Sequence, residues 1–483
     1  MLGPVADLDR HASERPKALA LATPHHRLSF AELRAAVLSA ERRMRHAGVH
    51  ADALVALDLP RAVEWVADLA LFRIGARTVS LRGVTQPGEL PLDVLVTEPG
   101  RSVSPAALIV EADEGWLDEL WFDGSAPPPR DEAPAAFTER SAIFRYLLTS
   151  GTTGIPRAAA YSVGAFDYRM RDGDQHWTDD RAELMLIGLS TTGGFHAAAA
   201  CLAEGVPYLA VDRIDAEAIS LAAAHRIRVL CGSPMHVANA VHVALGAGIA
   251  LPDLEEVRLA GAGPSEKLLG LIADTLGVPV RGVYGSTEGG GVSQVWYGSG
   301  VDRFDVGVPL PGVVLEVVDG SGAAVPAGTE GTVRYRSPGL VSGYLVDGDV
   351  VPLPGGWFVP GDRGRLTADG SLVLAGRDSE LFNVGGVKLD PMRIDELALA
   401  FAGVRDAAAF PLERRAGIPE VGLAVVCGPE CELRELDREL RARLPLGHPT
   451  AFWRIDEIPR TRLGKAQRGR LATDYEREVL RER

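Results

Sequence analysis

Hydrophobic and polar positions change period several times along the chain, and each change marks an element. Near the N-terminus Phe30, Leu33, Val37, Ala40 and Met44 repeat at helical spacing. Ser29 and Glu32 make a capping box in front of them, and Gly48 stops the run. In the middle, short apolar runs alternate with helical periodicity. Arg228–Cys231 reads as a buried strand, Met235–Leu245 as a helix and Val257–Ala260 as a strand. Glu266–Leu276 follows as a helix ended by Gly277 and Pro279, then Val280–Tyr284 as a further strand. Strands joined through single helices pair in parallel, so the expected fold is α/β with a doubly wound sheet.

Past Tyr284 the pattern shifts. Val313–Val318 and Thr332–Arg336 flank the turn-rich stretch Asp319–Gly331, which predicts a β-rich, hairpin-built unit over residues 301–376. From Asp378 onward helical runs (Pro391–Phe401, Glu432–Arg443) mix with a strand (Val421–Val426). The expected organisation is a large N-terminal domain, residues 1–377, of doubly wound mixed or parallel sheets plus the β-rich subdomain. A small mobile α+β C-terminal domain, residues 378–483, follows. Residues 126–135, rich in proline and charge, read as a surface loop.

Composition narrows the partners. A net charge of −15, from 50 Lys+Arg against 65 Asp+Glu, lacks the basic footprint that a nucleic acid needs. It leaves room for a phosphate-bearing small molecule, which backbone N–H groups and a few placed cations can hold. The longest apolar runs, such as Leu184–Leu189, fall far short of a membrane span. Asp7, Asp9 and Glu14 sit where a signal peptide would be apolar, and four cysteines in so long a chain fit a reducing compartment. A cytoplasmic setting is expected. Cys427 and Cys431 are spaced C-x3-C, but no His or Cys pair follows, so buried thiols are the simpler reading than zinc.

Candidate chemistry begins where the strand Arg145–Leu148 runs into Thr149, Ser150, Gly151, Thr152, Thr153 and Gly154, before Pro156 breaks regular structure. Glycines let backbone N–H groups turn toward one point, and hydroxyls add donors for phosphoryl oxygens. No GK[ST] closes the loop, so it is not a Walker loop. Gly261-Ala262-Gly263 opens a G-x-G-x-x-G, but Glu266 stands where the third glycine belongs. Ala160–Gly164 is one residue from a nucleophile elbow, yet Ser162 reads more simply as a helix cap.

The loop resembles the phosphate-binding signature of the acyl-adenylate-forming superfamily, which comprises acyl- and aryl-CoA synthetases, peptide-synthetase adenylation domains and firefly-type luciferases. Its further signatures follow in order. Val283–Glu288 resembles the adenine- and phosphate-contacting segment. The resemblance implies Tyr284, with Gly285 and Ser286, on the adenine, Thr287 on the α-phosphate and Glu288 on Mg²⁺. Gly261, Ala262 and Gly263 resemble the small-residue stretch against adenine. Asp362 matches the ribose-binding acid, Arg377 the junction arginine, and Arg157 stands where lysine is common. Ser379 takes the hinge position, usually Asp or Lys. Gly385, Gly386 and Lys388 match the loop of the second half-reaction, and Lys465 the C-terminal catalytic lysine.

What the resemblance implies is ATP- and Mg²⁺-dependent activation of a small carboxylic acid as an acyl-AMP with release of pyrophosphate. Transfer to a thiol follows, CoA first among acceptors, with a carrier-protein thiol, an amine or another small nucleophile as alternatives. Leu189–His196 carries no acid, which disfavours an α-amino acid whose ammonium would be buried unpaired. Thr191, Phe195, His196, Gly289 and Gly290 fall in the acyl pocket by this resemblance. Whether His196 or Thr191 takes the place of the usual pocket histidine stays open. The run Gly289–Gly291 reads as room for a bulky or aromatic acid.

Overall fold

The computed structural model describes residues 4–82, 90–101, 108–118, 137–149, 156–172, 182–298, 300–377, 382–384, 387–414, 418–428, 431–444, 449–461 and 465–480. The proline-rich stretch 126–135 lies outside them. The fold is α/β, as the alternation of strand and helix predicts.

Two large sheets carry residues 54–352. The first orders Asp349–Pro352, Gly343–Val346, Arg157–Ser162, Ile143–Thr149, Arg77–Ser80, Leu54–Asp58, Val94–Thr97 and Leu108–Glu111. It is parallel from Ile143–Thr149 to its far edge and antiparallel at the other end. The second orders Val308–Pro309, Gly290–Tyr297, Val280–Ser286, Glu256–Ala260, Val229–Gly232 and Glu183–Met185, the last four in parallel. The alternation read over residues 228–284 is this second sheet. The expected β-rich unit is a four-stranded antiparallel sheet, Val314–Val318, Gly331–Arg336, Asp362–Leu366 and Leu372–Arg377. Asp319 pins its first turn, its carboxylate accepting from the Ser321 and Ala323 amides.

Local signals set the element ends. Ser29 Oγ accepts from the Glu32 amide while the Glu32 carboxylate accepts from Ser29 N, a complete capping box in front of Phe30–His46. Pro234–Ala247 starts on Pro at its first position with Ser233 as cap, and stops on left-handed Gly248. Ser162 Oγ accepts from the Ala165 amide, so the elbow-like serine is a helix cap. Helix Arg61–Ile74 is buried on all sides from Ala62 onward, packed on Phe30–His46 in the largest core cluster.

Beyond residue 381 a separate three-stranded sheet (Val404–Arg414, Ile418–Cys427, Ala451–Arg454) packs with helices Pro391–Leu399, Leu433–Arg443 and Arg468–Tyr475. Its two apolar clusters draw only on residues of this segment, including Cys427 and Cys431, which are buried thiols. The hairpin Phe382–Val384 and Val387–Leu389 precedes them.

Candidate active site

Thr149, Gly261–Gly263 and the Tyr284–Glu288 segment lie at the carboxyl ends of parallel strands, where open α/β sheets form their crevices. Strand Glu256–Ala260 runs into Gly261, Ala262 and Gly263, which are exposed, and nothing lies within 4 Å of a Cβ built on Gly261. They make an uncovered ledge. The neighbouring strand Val280–Ser286 turns through Thr287, Glu288 and Gly289 and returns as Gly290–Tyr297.

Tyr284 lies on this strand with its hydroxyl donating to Asp362 Oδ2 at 2.5 Å. Strand register sets Arg377 opposite Asp362, and Arg377 Nε donates to Oδ1 at 2.5 Å. Asp362 is buried, and these two donors fix the angle of its carboxylate. Burial first, and then the Asp362 charge, pushes the Tyr284 phenol well above its ordinary range, so it stays a donor.

Glu288 is 5% exposed. Tyr344 Oη donates to its Oε1 at 2.7 Å, and Arg157 Nη2 stands 4.0 Å from the same oxygen. The Arg157 guanidinium lies over the Tyr344 ring at 4.1 Å, a stacking that a lysine would make less well. Burial and Glu288 together raise the Tyr344 phenol. The Glu288 carbonyl accepts twice, from Val341 N at 2.9 Å and Arg169 Nη2 at 2.6 Å. Thr287 is tied at its carbonyl by Thr192 Oγ1 at 3.3 Å. Ser286 Oγ joins Tyr335 Oη at 2.8 Å and accepts from the Gly289 amide at 3.0 Å.

Thr149 ends the strand Ile143–Thr149 directly opposite Arg157. It is buried, and its Oγ1 has no hydrogen-bond partner among the described residues. A buried hydroxyl without a partner is costly unless something else completes it, which is what a phosphoryl oxygen would do. Ser150, Gly151, Thr152, Thr153 and Gly154 lie outside the described residues.

The acyl-pocket expectations divide. Thr191 caps helix Thr192–Glu204 through the Gly194 amide. His196 is 1% exposed, bonded through Nε2 to Tyr161 Oη at 2.6 Å among Phe166, Phe195 and Tyr161. Burial, then Arg169 and Arg145, hold its pKa far below the usual value, so it is a neutral core residue. Phe195 is likewise buried, beneath the Arg145 guanidinium at 4.4 Å. The glycine run is not open room. A Cβ on Gly289 would stand 2.5 Å from Tyr335 and one on Gly290 3.0 Å from Arg169, so these glycines admit neighbours rather than a ligand.

Lys465 closes a small loop on Thr461: Thr461 N donates to Lys465 O, and Lys465 N to Thr461 Oγ1. Lys388 falls on strand Val387–Leu389 with Asn383 opposite. Ser379, Gly385 and Gly386 lie outside the described residues. Three site residues escaped the sequence reading. Tyr335 was visible as the inward partner of Val333 in a strictly alternating strand. Tyr344 and Arg169 carried no pattern that separates them from ordinary packing and surface charge.

A buried strand-end hydroxyl, a braced carboxylate turn and a two-donor acid, drawn from three sheets and joined by the Tyr284–Asp362 and Glu288–Tyr344 hydrogen bonds, are built as a nucleotide-binding enzyme. A sequence model of the AMP-binding enzyme family matches residues 8–345. The chain belongs to that family, one of AMP-forming acid ligases. Among its relatives, indoleacetate–CoA ligase of Aromatoleum aromaticum is 28% identical, covering 95% of this chain and 96% of its own length. The medium/long-chain-fatty-acid–[acyl-carrier-protein] ligase FadD10 of Mycobacterium tuberculosis is 28% identical over 69% of this chain and 68% of its own. Naringenin synthase of Pestalotiopsis fici is 26% identical over 95% of this chain, which spans 18% of that protein. The o-succinylbenzoate–CoA synthetase of Bacillus subtilis, solved with its acyl-adenylate intermediate, superposes with a TM-score of 0.80 at 19% identity, covering 96% of this chain and 97% of its own. That likeness carries the fold past the family match, into the C-terminal segment.

Proposed function

We propose that this chain adenylates a carboxylic acid with ATP and hands the acyl group to the thiol of CoA. The observation that carries the reading is the single strand-and-turn Val280–Gly289. It delivers Tyr284 to Asp362 and Glu288 to Arg157 and Tyr344 within a few residues.

In this reading the Gly261–Gly263 ledge and Tyr284 take adenine, and Asp362 accepts from the ribose hydroxyls with Arg377 beside it. Thr287 and the Thr149–Gly154 loop donate to phosphoryl oxygens, assisted by Arg157. Glu288 fits a divalent cation, being a buried carboxylate held in place by a neutral phenol. Mg²⁺ there would offset phosphate charge. The substrate carboxylate attacks the α-phosphorus, pyrophosphate leaves in line, and Lys465 stabilises the charge that builds up. Residues 378–483 then turn about Ser379, withdrawing Lys465 and presenting Gly385–Lys388, and the thiol displaces AMP. A carrier-protein thiol is the second reading, favoured by the likeness to an acyl-carrier-protein ligase. Among the described residues no helix is long and apolar enough to cross a membrane, and the proposed setting is the cytoplasm.

Acid-dependent ATP–pyrophosphate exchange over a panel of aryl, fatty and small carboxylates tests the reading. Exchange with members of the panel and none with α-amino acids is expected. Silence with every acid overturns it. AMP release with CoA against holo-carrier protein then decides the acceptor.

A further inference from the structure

Arg169 is 1% exposed, and among the described residues no carboxylate pairs with it. A guanidinium stripped of water is expensive to bury, and here only the Glu288 carboxylate, beyond ion-pair distance, offsets that cost among the carboxylates whose charge reaches it. Its contacts show what the charge is set to hold. Nε donates to Gly339 O at 2.7 Å, Nη2 donates to Glu288 O at 2.6 Å, and the plane lies 4.7 Å from the Tyr161 ring. The two carbonyls belong to two separate segments. One is the turn that carries the Glu288 carboxylate. The other begins the stretch that continues through Val341, whose amide also donates to Glu288 O, to Tyr344, whose hydroxyl donates to the Glu288 side chain.

Both segments come against the guanidinium arm at glycines. A Cβ at Gly290 would lie 3.0 Å from Arg169 Nε, and one at Gly339 would lie 3.0 Å from Arg169 Cγ. A side chain at either position would therefore crowd the arginine. A planar fork with fixed angles between its donors sets a distance between two carbonyls in a way that a lysine cannot.

We propose that Arg169 is a positioning residue: it clamps the Glu288 turn to the Gly339–Tyr344 segment and so fixes the carboxylate that receives the divalent cation. The proposal rests on the reading of Glu288 as the cation's ligand. In this reading Arg169 acts through Glu288, as outer residues do at metal sites.

The test is calorimetric binding of a non-hydrolysable ATP analogue, with and without Mg²⁺, to the full chain and to Arg169→Met and Arg169→Lys. Methionine fills similar volume and leaves Val341 N on Glu288 O, and the unfolding midpoint is measured beside binding because Gly339 O loses its donor. The expected result is a loss of about 10–100-fold in Mg²⁺-dependent affinity in R169M. Metal-independent nucleotide binding should be unchanged, and R169K should fail to restore the loss. Unaltered Mg²⁺ dependence in R169M overturns the clamp. So does full rescue by lysine, which would assign the effect to charge alone, and so does equal loss of metal-free binding and of the unfolding midpoint, which would make Arg169 merely structural. If the unsubstituted chain binds the analogue without any Mg²⁺ effect, the assignment of Glu288 falls first and the clamp's purpose with it.

Discussion

Thr149 Oγ1 presents a conflict that a phosphoryl oxygen would resolve. The hydroxyl is buried at a strand end and makes no hydrogen bond among the described residues, so the unliganded fold bears the cost of drying it. Thr149→Val keeps the shape and removes that cost, and it should stabilise the chain by about 1 kcal/mol. The same change takes a donor from the phosphoryl group. The KM for ATP in pyrophosphate exchange should rise about 10-fold, the scale of a hydrogen bond to a charged acceptor. Unfolding midpoint up and affinity down is a pair of signs that an ordinary core threonine would not give. Lys465 is argued by rate instead. Lys465→Ala should slow adenylation by about 10²–10³-fold, as loss of one preorganised charge donor does. Thiolysis of a preformed acyl-AMP should proceed at the original speed. An unaffected exchange rate removes Lys465 from the first half-reaction.

At the scale of elements, the hairpin Val280–Ser286 to Gly290–Tyr297 shows how far sequence reaches. Its strands were legible because short apolar runs and a helix ended by glycine and proline are local signals. What packs against its glycines is not legible in the sequence: a Cβ on Gly289 would meet Tyr335 and one on Gly290 would meet Arg169. Of the first large sheet only the strand Arg145–Leu148 is read from the sequence. Leu54–Asp58 and Arg77–Ser80 pair across one helix, but each takes its other neighbour out of chain order, Val94–Thr97 and Ile143–Thr149, and no local pattern names such a partner. The site residues of the turn were found through resemblance, but the donors that hold them, Tyr344 and Arg169, come from other elements. Paired substitutions test this packing. Gly289→Ala sets a Cβ 2.5 Å from the buried Tyr335 ring, which has nowhere to move, and should cost about 1–3 kcal/mol in chemical unfolding. Gly263→Ala meets only Arg303 O at 3.8 Å and should leave unfolding unchanged, while the methyl on the ledge raises the KM for ATP. Equal stability of the two variants would mean that the turn is looser than its contacts imply.

Across the whole molecule, the site is braced from a buried ionic cluster on the far side of the first sheet. Arg145 Nη1 donates to Asp68 at 2.5 Å and to Thr78 at 3.0 Å, and Nη2 donates to Leu189 O at 2.9 Å. That carbonyl lies just before the Thr191 cap and Thr192, which in turn reaches Thr287. Glu64 stands 3.9 Å from the same guanidinium, so two buried acids share one close cation, with Arg82 contributing from farther off. Burial first, and the Asp68 charge second, push Glu64 up to about 8, and burial raises Asp68 as well. The consequence for stability follows from proton counting. Between the ordinary glutamate value of 4.5 and about 8 the folded chain keeps a proton that the unfolded chain has released. Stability must therefore fall as pH rises through that interval and level off above it. The total is on the order of a few kcal/mol, since each tenfold change in acidity corresponds to about 1.4 kcal/mol. Glu64→Gln is neutral throughout and keeps the side chain's shape, so its unfolding midpoint should lack this slope. Thermal unfolding from pH 5.5 to 9 should show the variant gaining on the unsubstituted chain as pH rises toward 8 and holding a constant lead beyond. Parallel curves would mean that Glu64 is already ionised at pH 5.5. The charge balance beneath the Leu189–Thr192 segment would then have to be sought in the other carboxylate, Asp68.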